Sequence, residues 1–127
     1  MIPADLRYTE AHEWLRLDGH TGIVGITDYA QDQLTDIVFV ELPEVGRKVD
    51  AGDAAAVLES VKSVADVYAP VAGEVVEINK ALEEHPEYVN ESPYDNGWIF
   101  KLKANSGDAS HLLDAKGYQK FLDAQEH

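Results

Sequence analysis

In "LESVKSVADVYAP", residues 58–70, Lys62 stands in the longest polar interruption of an otherwise apolar, β-branched run from Ala54 to Tyr68. A lysine placed there is either a solvated charge or a side chain presented for chemistry. Few other residues compete with it. The five histidines, His12, His20, His85, His111 and His127, show no i, i+4 pairing, and the chain has no cysteine. This leaves no zinc pattern, no thiol nucleophile and no disulfide framework. "NSGDASH" brings Ser, Asp and His together in sequence without the strand–elbow–helix setting of a serine nucleophile, and triads converge in space rather than along the chain. Asp28, Asp32 and Asp36 fall four apart and read as a solvated acidic face, while Glu83-Glu84 reads as a solvated helix end. No glycine-rich phosphate loop is present.

Composition narrows the partners. The 127 residues are 45% hydrophobic and 27% charged, ordinary for one globular domain, and the expectation is a single domain over residues 1–127. Ten basic against 24 acidic residues give a formal charge of −14. Such a charge disfavours nucleic acid and anionic membranes and favours basic patches on protein partners. The N-terminal stretch lacks the cationic and apolar parts of a signal peptide, and no apolar run approaches the ~18 residues of a spanning helix. A cytoplasmic location with no membrane role is expected.

The elements around Lys62 read as strands. "HEWLRL", "GIVGIT" and "IVFVEL" are short apolar runs separated by turn signals, with "TDYAQDQLTD" a short helix capped by Thr27 or Asp28. Ala51-Gly52-Asp53 before "AAAVLE" and Ala72-Gly73-Glu74 before "VVEIN" form a faint repeat, suggesting two similar halves of a sheet. Lys62 lies near their midpoint. "NKALEEHPEYVNESPYDNG" reads as a long, partly ordered connection and "WIFKLKA" as a last strand. From Asp108 onward the spacing becomes helical, with Asp108, Ser110 and Asp114 as caps, and Gly117 leaves one long helix or two short ones equally open.

A strand from Ala54 to Tyr68 would span roughly 50 Å, well beyond the usual length, so the chain must turn at Glu59–Ser63. That stretch has no Gly, Pro, Asn or Asp. Val61 is β-branched and strained at positive φ, which predicts a type I-like turn with negative φ throughout.

At this point a resemblance enters. "LESVKSVADVYAPVAGEV" resembles the lysine-bearing segment of the glycine cleavage H-protein family. "YTEAHEW", "VGITDYAQDQL", "IVFVELPEVG", "VNESPYDNGW" and "LLDAKGYQKFL" resemble the family's other segments in order, from Leu6 to Leu122. Thr35 and Asp95 stand where the family commonly has Gly, and both concern turns. The resemblance implies a mainly β fold: a lipoyl/biotinyl-carrier β-sandwich, or hybrid barrel, with short helices and a C-terminal helix.

It further implies a non-catalytic carrier with lipoate joined covalently to Lys62 as an amide, taking the charge from −14 to −15 and supplying the sulfurs the chain lacks. Glu59, Val61 and Ser63 would form the context read by a lipoate ligase or octanoyltransferase. Glu13 and Asp66 would line a cleft that shelters the loaded arm. The implied partners are a pyridoxal-phosphate glycine decarboxylase, a tetrahydrofolate-dependent aminomethyltransferase and dihydrolipoamide dehydrogenase. A lipoyl domain of a 2-oxoacid dehydrogenase would usually show D-K-A, and a biotin carrier M-K-M; neither is present. A protein handing lipoyl or octanoyl groups to other enzymes stays open.

Overall fold

The computed structural model describes residues 2–103 and 111–125. Along these the chain forms β1 (Arg7–Tyr8), β2 (Glu13–Asp18), β3 (Thr21–Ile26), α1 (Asp28–Leu34), β4 (Ile37–Glu41), β5 (Lys48–Val49) and β6 (Ala54–Ser60). After these come β7 (Val64–Tyr68), β8 (Gly73–Ile78), α2 (Ala81–Glu84), α3 (Tyr88–Glu91), β9 (Phe100–Lys103) and α4 (Ala115–Gln125). A six-stranded sheet runs β1-β2-β3-β9-β8-β5 and a three-stranded sheet β4-β6-β7, with antiparallel pairing throughout. This is the mainly β, two-sheet arrangement with a C-terminal helix that the sequence led us to expect.

The core lies between the sheets. Leu15, Val24, Phe100 and Leu102 from one sheet join Val40, Leu58 and Val67 from the other in one buried cluster. Each such side chain, fully buried, contributes about 1.5–3 kcal/mol. Successive residues of a strand point to opposite faces, so Trp14 belongs to a second cluster with Leu6, Tyr8 and Tyr118, partly roofed by Phe121 and Leu122 of α4. β2 is thereby covered on both faces, which explains why "HEWLRL" shows no clean polar alternation. Glu13 shares its face with Leu15, the core face, and is only 2% exposed.

The two repeat glycines serve different ends. Gly52 takes φ +91°, which side chains rarely adopt, and its N–H bonds the Ala69 carbonyl at 2.8 Å, tying the entry of β6 to the exit of β7. Gly73 instead permits close approach, since a Cβ there would lie 2.5 Å from the Lys103 carbonyl oxygen.

The structure sharpens two expectations. The 79–97 connection is ordered around α2 and α3, because Leu82 and Val89 are fully buried and Asn79 Nδ2 donates to the Asn96 and Trp98 carbonyls, both at 2.8 Å. Tertiary anchoring outweighs its turn-rich composition. The tail forms one helix: Asp114 Oδ1 accepts the Gly117 N–H at 2.7 Å, capping the first turn, and Tyr118 is fully buried. Asp108, Ser110 and all of "NSGDASH" but His111 lie outside the described residues. At α1 the cap is Thr27, whose Oγ1 accepts the Ala30 N–H at 3.2 Å.

Candidate functional site

β6 and β7 form a hairpin in which Glu59 opposes Val64, leaving Ser60-Val61-Lys62-Ser63 at its tip. Neither Val61 nor Lys62 has positive φ, in line with the turn the β-branched Val61 demands. A serine hydroxyl organises the tip. Ser60 Oγ accepts the N–H of Ser63 at 3.0 Å and of Lys62 at 3.3 Å, and it donates to the Ser63 carbonyl at 3.2 Å. The Ser60 N–H bonds that same carbonyl at 2.8 Å, and the Val61 N–H reaches back to the Asp36 carbonyl at 3.1 Å. All four tip amides are therefore engaged, while the side chains of Val61, Lys62 and Ser63 are exposed. The result is a stiff turn holding the lysine amine in solvent.

Beside the tip, cross-strand pairing sets Phe39, Glu59 and Val64 in one row over the outer face of the small sheet. An irregularity between Ile37 and Phe39 leaves both Val38 and Phe39 facing solvent, at 54% and 52% exposure.

From the tip, β7 leads to a cleft. Val64, Asp66 and Tyr68 alternate onto its exposed face. Tyr68 is also a wall of a cavity of about 630 Å³ lined by Tyr8, Thr9, Glu13, Pro70 and His111 among others. His111 Nε2 lies 3.1 Å from the Pro70 carbonyl oxygen, closing one side. β7 from Val64 to Tyr68 spans roughly 13 Å at strand rise.

Glu13 is a buried carboxylate lining this cleft. Thr9 Oγ1 donates to its Oε1 at 2.6 Å, and the Tyr68 N–H approaches Oε2 at 3.4 Å. Burial pushes its carboxyl above the ordinary value of 4.5, while those two donors pull it back. Among the described residues Glu13 forms no ion pair.

Of the residues singled out in the sequence, Glu59, Val61, Lys62 and Ser63 gather at the tip and Glu13 lies in the cleft. Asp66 is not a cleft wall; it sits on the exposed β7 face between the two, because its side chain alternates with the buried Val67. Sequence reading passed over Ser60, Thr9, Tyr68 and His111. Ser60 carried a faint signal, since serine hydroxyls bond nearby backbone in turns. His111 carried none, because only the fold brings it to Pro70.

Comparison with known proteins agrees with this fold. The glycine cleavage H-protein family model matches residues 6–125. The chain belongs to that family. A glycine cleavage system H protein of Thermus thermophilus is 60% identical over 125 residues, 98% of each chain, and one of Symbiobacterium thermophilum is 54% identical over 121 residues, 94% of each. A crystal structure of a family member from Mycobacterium marinum superposes with a TM-score of 0.87 at 35% identity, covering 99% of this chain and 100% of that one. Among the described residues no helix is long and apolar enough to cross a membrane.

Proposed function

We propose that Lys62 carries lipoate as an amide on Nζ and that the chain is the lipoyl-bearing carrier of glycine cleavage. In this role it takes the aminomethyl group of glycine from the pyridoxal-phosphate decarboxylase to the tetrahydrofolate-dependent aminomethyltransferase. It then presents the arm to dihydrolipoamide dehydrogenase. When bound, lipoate supplies the reversible dithiol that a chain without cysteine lacks. The chain's own part is to hold, shelter and present rather than to catalyse, and a cytoplasmic setting suits that traffic.

The observation that carries the reading is the path from Lys62 to Glu13. A lysine side chain extended by a lipoyl group spans roughly 15 Å at standard bond lengths. This is enough to lie along the face bearing Val64, Asp66 and Tyr68 and bring a cationic amine towards the cleft. There the buried Glu13 carboxylate would pair with the amine and the cleft walls would exclude water, slowing loss of ammonia from the cargo. Asp66 borders the path, where it attracts the same cation in higher dielectric and so more weakly. The stiff tip serves the modifying ligase or octanoyltransferase, which needs the amine in one pose, with Glu59, Val61 and Ser63 as its surroundings.

Intact-mass analysis of the protein from a lipoate-replete host tests the attachment. The parent is expected to gain one lipoyl mass and Lys62→Arg none, because a guanidinium keeps the charge without an acylatable amine. A Lys62→Arg chain that still gains the lipoyl mass overturns it, and a biotinyl mass on the parent overturns the carrier class.

A further inference from the structure

We propose that Thr9 is a positioning residue of the cleft, its hydroxyl fixing the Glu13 carboxylate in its ionised form with Oε2 left for a cationic amine. The amine's identity rests on the carrier reading above; the hold of Thr9 on Glu13 does not.

The two residues are joined three ways. The Thr9 N–H donates to the Glu13 carbonyl at 3.0 Å, and the Glu13 N–H donates to Thr9 Oγ1 at 3.1 Å. Thr9 Oγ1 donates to Glu13 Oε1 at 2.6 Å. A hydroxyl has one proton and two lone pairs. Since the Glu13 N–H occupies a lone pair, the proton is directed to Oε1, and the short distance is that of a charge-assisted O–H···O bond. The turn between them is fixed as well: His12 takes φ +71° and its N–H bonds the Thr9 carbonyl at 3.1 Å.

Oε2 is differently placed. Among the described residues its one donor is the Tyr68 N–H at a long 3.4 Å, so most of its accepting capacity remains unused beside the cleft that Tyr68 lines. A carboxylate 2% exposed would ordinarily take up a proton to escape the cost of desolvation. The Thr9 hydroxyl opposes that, since its bond to Oε1 is stronger to the ionised carboxylate than to the carbonyl oxygen of the neutral acid. The other titratable groups around Glu13 are Tyr8 on β1, Glu10 in the β1–β2 turn, Tyr68 on β7 and His111 before α4. Tyr118 of α4 is near enough for the Glu13 charge to raise its own hydroxyl, and His12 is the chain neighbour. None of these donates to the carboxylate.

The test follows the Glu13 carboxyl by carbon NMR during pH titration of the full unmodified chain, in the parent, Thr9→Val and Thr9→Ser. Removing the hydroxyl is expected to raise the proton affinity of Glu13 about tenfold, and Thr9→Ser to restore it to within about threefold of the parent. Thr9→Ala is the second hydroxyl-free variant, so that a packing defect peculiar to Val does not decide the result. Unchanged titration in Val and Ala variants whose amide spectra match the parent overturns the proposal, as does a shift that Ser fails to reverse. On loaded protein, Glu13→Gln is expected to speed ammonia release wherever the parent carboxyl is ionised, and Thr9→Val chiefly between the parent midpoint and its own raised one. Parent-like ammonia retention by Glu13→Gln sinks the sheltered-arm reading while the titration still decides the role of Thr9.

Discussion

Thr35 leaves α1 with φ +63° and ψ −151°, and Asn90 Nδ2 donates to its carbonyl at 2.7 Å. That backbone region is essentially glycine's own and costs other residues of order 1–3 kcal/mol. Asn90 helps to hold it there: the same Nδ2 reaches Gln31 Oε1 at 3.0 Å and its Oδ1 accepts the Ile37 N–H at 2.9 Å. The next residue, Asp36, supplies the carbonyl that receives Val61 from the lysine turn. A strained joint thus abuts the hairpin tip.

Thr35→Gly relieves the strain at some cost in unfolded-chain entropy. A net gain of about 1 kcal/mol is expected, read as a rise in the midpoint of thermal or urea unfolding. Asn90→Ala, which orphans the Ile37 N–H and the Thr35 carbonyl, is expected to lose about 1–3 kcal/mol.

Ser60→Ala removes the acceptor for the Lys62 and Ser63 amides while leaving Cβ in place. Faster hydrogen exchange at those two amides, a stability loss of about 1 kcal/mol and slower lipoylation at Lys62 are the expected outcomes. Unaltered modification with faster exchange would mean that the modifying enzyme does not read the stiffness of the turn.

The raised carboxyl of Glu13 sets a pH dependence whose sign can be worked out. Between 4.5 and the raised folded value, the folded chain binds more protons at this group than the unfolded chain does. Stability therefore falls as pH rises through that window. Glu13→Gln keeps the shape and removes the titration, so it is expected to flatten that part of the stability–pH profile and to be more stable than the parent at neutral pH. Urea unfolding at a series of pH values in the unmodified protein reads the difference.

The sequence by itself determined the class of fold and the lysine. Apolar runs of strand length broken by turn signals read as a β-rich chain, and a run too long for one strand folds at its longest polar interruption, which puts Lys62 at a tip. Thr27 or Asp28 as helix cap, and Asp114 among the caps of the tail, were legible because such hydrogen bonds are local. Tertiary structure decided what depends on contacts distant in sequence. Leu82 and Val89 order a segment whose composition reads as loop, and Glu13, 55 residues before Tyr68, becomes a cleft carboxylate only when β2 and β7 meet. Alternation along a strand tells that Asp66 and Val67 face opposite ways, but not which face is covered. Only the packed second sheet settles that, by burying Val67 and leaving Asp66 in solvent on the path to the cleft.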